Sequence, residues 1–136
     1  MDFRKFDSKR DEPTVKAICY GCDSASMKHS FQFLRTSMWQ SGARYISELL
    51  DDVGFYAATR CKNHMRLTAI AVKAGNQGSG IGRILLERLK QRARQFGLDT
   101  ITFRTSQTED ALRWWLNRGA DIGGVKGDDF EMTLKI

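Results

Sequence analysis

The sequence predicts an α/β domain in which helices flank a mixed sheet. Three observations carry that reading. The apolar period changes from helical to strand type near Tyr45, a glycine-rich loop joins a strand to a long amphipathic helix, and further strands follow the last helix. The chain has 136 residues, read as a single domain spanning 1–136, and its 41% apolar and 10% aromatic content suits one core. Charged residues make up 28% and are evenly mixed, which excludes a disordered tail.

In chain order, residues 3–6 alternate weakly as a first strand, ended by the polar run 7–11. Asp11, Glu12 and Pro13 form a helix start: a cap oxygen, an early acid that suits the dipole, and a proline tolerated in the first turn. Val15, Ile18, Cys19 and Cys22 recur at helical spacing. A second helix begins near Ser24 or Ser26, carries Met27, Phe31, Leu34 and Met38 on one face, and ends at Gly42. Strands are expected at 45–49, 53–59 and 65–72, joined by turns at Asp51-Asp52 and at residues 62–64. Residues 74–82 form the loop. Helix 81–96 puts Ile81, Leu85, Leu89, Ala93 and Phe96 on one face, and Gly97 caps it. A strand at 100–104, a helix at 108–117 closed by Gly119, and strands at 122–125 and 130–136 complete the pattern.

No apolar run approaches the roughly 18 residues a membrane helix needs, and the first residues lack an apolar signal core, so no membrane partner and a cytoplasmic address are expected. Three cysteines cannot all pair with one another, which suits a reducing compartment. The 22 Lys and Arg against 16 Asp and Glu leave a net charge of +6, which favours an anionic ligand without separating a nucleic acid from a phosphorylated cofactor.

The loop narrows that choice. Gly75, Gly78, Gly80 and Gly82 lie between strand 65–72 and helix 81–96. Glycines let the backbone approach a ligand and turn its amides inward, while the new helix aims free N–H groups and a partial positive charge at the same spot. The arrangement suits a pyrophosphate. A Walker loop needs Gly-Lys-Ser/Thr where this chain has Gly82-Arg83-Ile84, and a Rossmann fingerprint needs a different last spacing than Gly78-x-Gly80-x-Gly82. The pattern Gln/Arg-x-x-Gly-x-Gly/Ala is matched in full by Gln77-Gly78-Ser79-Gly80-Ile81-Gly82.

With that loop the chain resembles the GNAT superfamily of acyl-CoA-dependent N-acetyltransferases. Val53-Gly54-Phe55 looks like the family's third strand, 67–72 its fourth, 81–96 the helix after the pyrophosphate loop, and 111–120 its late helix and glycine turn. The resemblance implies a mainly antiparallel sheet and transfer of an acetyl group from acetyl-CoA to an amine by direct attack. It implies that the amides of Gln77, Gly78, Ser79, Gly80, Ile81 and Gly82 hold the pyrophosphate, with Arg83 near a phosphate. The main chain of Ile70, Ala71 and Val72 would pair with the pantetheine arm, and an amide there would polarise the thioester carbonyl. Short members with a Trp in the late helix also resemble bacteriophage-encoded ones.

The chain departs from the family at the late-helix tyrosine, which protonates the leaving thiolate in many members. Trp115 stands there, and an indole has only a non-titrating N–H donor. Thr108 and Ala74 replace a frequent asparagine and proline, and strand 65–72 has no carboxylate. The general acid and base are therefore unassigned. Glu48 and Ser106, with Tyr45 and Tyr56, are the candidates, and Trp115 is expected to line the thioester pocket. A module that binds coenzyme A or a protein partner without turnover is the alternative.

Two other patterns compete. Cys19, Cys22, Cys61 and His64 spell CxxC and CxxH, yet Cys19 and Cys22 share an apolar helical face, so they are read as core residues and no metal site is expected. Arg83, Arg88, Lys90, Arg92 and Arg94 against Glu87 make helix 81–96 basic, read mainly as a solvated face. Expected partners are coenzyme A species and a small-molecule or protein amine; a homodimer stays open, and nucleic acid is the less favoured anionic partner because no aromatics interleave the basic run.

Overall fold

The computed structural model describes residues 1–22, 25–39 and 44–136, with only the backbone described at 25, 26, 37, 38 and 109. In chain order the elements are β1 (Phe3–Lys5), α1 (Ser8–Gly21), α2 (Ala25–Phe33) with a π-helical turn at Leu34–Met38, β2 (Tyr45–Leu50), β3 (Gly54–Arg60), β4 (Met65–Val72), α3 (Ile81–Gln95), β5 (Thr100–Ser106), α4 (Glu109–Leu116), β6 (Asp121–Lys126) and β7 (Asp129–Lys135). The expected start at Ser24 and stop at Gly42 of the second helix lie outside the described residues.

The start of α1 differs from the sequence expectation. Asp7, not Asp11, caps it: the Asp7 carboxylate accepts from the Lys9 and Arg10 amides at 3.0 and 3.1 Å. Asp11 is a full turn in, fully buried, and Pro13 sits inside the helix beyond its first turn. Counting polar residues could not decide between two aspartates four apart; the cap went to the one in extended conformation, with φ −121° and ψ 119°. Asp11 instead gathers Arg4 and Arg10 around its carboxylate.

One seven-stranded sheet runs β1-β2-β3-β4-β5-β7-β6, antiparallel at every pair except β4 with β5. That parallel pair is short: only Met65 and Arg66 are in register, with Ile101 and Thr102. Two residues along β4 its register against β3 shifts, with Ala58 opposite Leu67 and Ala57 opposite Ala69, so Thr68 is the extra residue of a bulge. A bulge bends its strand, while pairing with β3 continues to Val72. β4 and β5 part there, and the edge of β4 from Thr68 to Val72 faces β5 without a ladder partner.

Each face of the sheet carries its own core. Tyr56, Met65, Leu67, Ile101, Phe103 and Met132 pack beneath Leu85, Leu86 and Leu89 of α3. On the other face, Leu49, Phe55, Ala57, Ala69 and Ala71 pack against Val15, Ile18, Phe31 and Leu34. Gly54 permits close approach of sheet and helix: a Cβ there would lie 2.9 Å from Leu85 Cδ1 and 3.1 Å from the Ala71 carbonyl oxygen.

Candidate functional site

The parting of β4 and β5 opens a cleft of about 810 Å³. Ile70, Ala71 and Val72 form one wall, Trp114, Trp115 and Arg118 another, and the loop residues Asn76, Gln77, Gly78, Gly80, Gly82 and Arg83 close one end. The loop owes its shape to glycines with left-handed backbone: φ is +91° at Gly75, +82° at Gly78 and +85° at Gly80. A Cβ at any of the three would meet nothing within 4 Å. Backbone conformation, not crowding, therefore demands glycine there.

Gly80 is the N-cap of α3 and provides no side-chain cap bond, so the first intrahelical bond is the Ile84 amide to the Gly80 carbonyl at 3.1 Å. The preceding amides of the first turn are presented to the cleft end with the positive pole of the helix dipole. Gln77 ties the loop back to β4 by donating its Nε2 to the Val72 carbonyl at 3.3 Å. The side chains of Ser79 and Ile81 do not line the cleft: Ser79 Oγ donates to the Asn76 carbonyl, and Ile81 is buried in the core under α3.

Trp115 is buried, with its ring centroid 4.0 Å from that of Phe103 and 4.7 Å from that of Trp114. Arg118 covers the Trp114 ring at 3.7 Å and donates to the Trp114 carbonyl at 2.9 Å. Trp114 also fits against the loop helix, since a Cβ at Gly82 would come within 3.3 Å of its ring. Asp110 adds a carboxylate to this lining; Asn76, Trp114 and Arg118 belong to it too, though the sequence does not mark them for it. Asn76 is an ordinary loop residue by type, and Trp114 and Arg118 reach the cleft only because α4 leans on the α3 N-terminus.

The acid–base candidates scatter. Glu48 faces α3, where Arg88 holds it with two bonds of 3.0 and 2.9 Å and the Tyr56 hydroxyl donates to it. Burial alone would raise its carboxyl pKa, but Arg88, Tyr56 and Arg92 together hold it below the usual carboxylate range. Tyr56 is fully buried, and burial and the Glu48 charge push its hydroxyl far above the ordinary phenol value. Neither lines the cleft. Tyr45 faces the opposite side of the sheet, against the core beneath α1 and α2. Ser106 ends β5 and hydrogen-bonds Thr108 Oγ1 at 2.8 Å.

The cysteines stand apart in role. Cys19 is buried, and burial pushes its thiol up to about 12; Cys22 Sγ donates to the Val72 carbonyl at 3.7 Å on the cleft wall, and Cys61 Sγ to Thr59 at 3.8 Å. Among the described residues no group of three or more His, Cys, Asp or Glu is placed to hold a metal ion. Part of the basic stripe on α3 is half-buried: Arg88 and Arg92 turn toward Glu48. No described helix is long and apolar enough to cross a membrane.

An antiparallel sheet with one splayed parallel pair, and a glycine loop feeding a helix at the splay, define an α/β fold with a cleft between two of its strands. The sequence profile of the acetyltransferase (GNAT) family matches residues 20–119, and the chain belongs to that family. No curated protein sequence matches it. Its fold is similar to that of a GNAT-family protein from Desulfovibrio desulfuricans, at 20% identity and TM-score 0.81, covering 98% of each chain. It is also similar to the ribosomal-protein-S18-alanine N-acetyltransferase of Escherichia coli, at 20% identity and TM-score 0.76, over 99% of this chain and 93% of that one. A third likeness is the PaiA N-acetyltransferase of Thermoplasma acidophilum, solved in complex with coenzyme A, at 15% identity and TM-score 0.72, over 99% and 98%. The bacteriophage-type expectation gains no support from these likenesses.

Proposed function

We propose that this GNAT N-acetyltransferase binds acetyl-CoA in the cleft between β4 and β5 and transfers its acetyl group directly to an amine. The observation that carries the reading is the unpaired edge of β4 at Ile70–Val72, running from the bulge at Thr68 to the glycine loop. A pantetheine arm bears amides that complete such an edge, and the loop amides and α3 N-terminus suit the pyrophosphate at its far end. Gln77, Gly78, Gly80, Gly82 and Arg83 are the phosphate-end residues; the amides of Ser79 and Ile81 take part through the backbone alone. Asn76 and Arg118 join them.

In the reaction the neutral amine nitrogen attacks the thioester carbon, a C–N bond forms and the C–S bond breaks. The nitrogen gives up one proton and the departing CoA thiolate takes one. Fixed β4 amides stabilise charge on the carbonyl oxygen without reorganisation, and holding both reactants in one site supplies much of the rate. Glu48 is held in an internal network by the Arg88 ion pair and the Tyr56 hydroxyl, and Asp110 is a carboxylate on the cleft lining. Trp115 lines the thioester pocket, and the leaving thiolate is protonated from water.

A thermal-shift titration joined to a thiol-release assay tests this. Acetyl-CoA at 100 times Kd adds about 2.7 kcal/mol to the folded state, which for a chain of this size raises Tm by roughly 8 °C. Trp115→Tyr restores a proton donor and raises kcat by about tenfold. Stabilisation with no thiol release across an amine panel favours a binding module without turnover. No stabilisation by any CoA species sinks both readings.

A further inference from the structure

We infer that the acceptor amine carries an anionic group, a carboxylate or a phosphate, and that polycationic amines are excluded. The inference rests on acetyl transfer at the cleft. β4 lines a second hollow, of about 430 Å³, immediately before the splay: Leu67 and Thr68 contribute to it while Ile70–Val72 line the cleft. An amine in this groove lies beside the gap where the β4–β5 ladder has ended at Arg66 and Thr102.

The chemistry of the groove is one-sided. Arg66 and Arg104 line it along with the hydroxyls of Tyr45, Thr59 and Thr68, and no carboxylate is among its described lining residues. The two guanidinium groups share a single counter-ion, Glu131, which is bound closely by Arg66 and lies 3.6 Å from Arg104 Nε. Arg66 is committed further by its bond to Thr102 Oγ1 at 3.3 Å. Arg104 has no such second bond among the described contacts, and its side chain is 53% exposed. A planar guanidinium with spare donors at a groove wall is suited to a carboxylate or phosphate oxygen.

A neighbouring hollow of about 350 Å³ meets the groove at Cys61 and adds Arg44, Arg60 and Lys62, again with no acid in its described lining. The two hollows together carry five cations, with Arg66 and Arg104 sharing Glu131, and that surplus repels a polyamine and attracts an anion. The cations also favour the acceptor's amine in its neutral, nucleophilic form, since a nearby like charge disfavours the ammonium. That lessens the demand on a general base.

The test uses matched amines with acetyl-CoA and thiol release: β-alanine against its amide, phosphoethanolamine against ethanolamine, and spermidine as the polycation. Each anionic member is expected to show a kcat/KM about tenfold or more above its neutral partner. Arg104→Gln is expected to raise KM for the anionic members with little change in kcat, to leave the neutral ones unchanged, and to keep the acetyl-CoA thermal shift; Arg104→Lys keeps part of the preference. Spermidine as the best acceptor, equal rates within the pairs, or a preference that survives Arg104→Gln overturns the inference while acetyl transfer stands. If acetyl-CoA stabilises the protein yet no amine releases thiol, the transfer reading falls. Calorimetric binding of phosphoethanolamine to the CoA-loaded protein, lost in Arg104→Gln, then upholds the anionic groove, and its absence overturns it.

Discussion

Asp11 is the residue whose role changed most between sequence and structure. It is fully buried, and burial alone would raise its pKa; the Arg10 guanidinium, the Asp7 amide and Arg4 outweigh this and pull the carboxyl down from 3.8 to about 2. A carboxyl with a depressed folded pKa stabilises the fold above its unfolded pKa and loses that contribution as pH falls through the folded one. The difference corresponds to about 2 kcal/mol, present in full at neutral pH and lost between roughly pH 4 and pH 2. Asp11→Asn is therefore expected to lower stability at pH 7 by about that amount and to flatten urea-derived stability across this acid window. An unchanged acid limb in the variant would show that other carboxylates set it. Glu48 teaches the same lesson at a candidate site. Its residue type suggested acid–base work, but its partners Arg88 and Tyr56 come from other elements, and strand parity alone could not say which face α3 would cover.

At the scale of elements, strand β4 and the loop into α3 were legible because local chemistry dictates them. β4 occupies the expected residues 65–72, and helix α3 begins at the expected Ile81. The glycine spacing points to a backbone that only glycine adopts freely, which the φ values above +80° at Gly78 and Gly80 bear out. The bulge at Thr68 was not legible, since nothing in its residue type marks it and the register shift is a property of the β3–β4 pair. The π-helical turn at Leu34–Met38 was likewise hidden: it keeps Phe31 and Leu34 buried while delivering Trp39, whose amide reaches back to Leu34 at 3.1 Å, to a stack on Phe6. The loop's conformational demand can be tested where no clash confounds it. Gly80→Ala adds a methyl to open space, so its effect is backbone strain of about 1 kcal/mol, which the exposed loop relieves by shifting its amides. Acetyl-CoA affinity is expected to fall about fivefold with little change in the Tm of the ligand-free protein, whereas Arg94→Gln, exposed in the last turn of the same helix, leaves it unchanged. Equal affinities for Gly80→Ala and the parent would remove the loop from the site.

For the whole molecule, the net charge of +6 is distributed rather than concentrated on one binding stripe. Arg4 and Arg10 converge on Asp11, with Arg4 also on Asp52, while Arg88 and Arg92 converge on Glu48 and Arg66 and Arg104 on Glu131, the last two clusters each with two cations to one carboxylate. Cations thus outnumber acids on both approaches: Arg83 and Arg118 against Asp110 at the cleft, and Arg44, Arg60 and Lys62 beside the groove. A field of this kind acts on encounter more than on the bound state, because separated charges are screened beyond a Debye length of about 8 Å at physiological salt while contacts inside the cleft are not. Trp114 and Trp115 line the cleft and give a fluorescence signal for acetyl-CoA arrival. Stopped-flow measurement is expected to show an association rate about tenfold lower at 150 mM than at 10 mM ionic strength, with the dissociation rate nearly constant. A salt effect carried mainly by dissociation would instead place the ion pairs of CoA in the bound complex, and Arg83→Gln would then speed release as much as salt does.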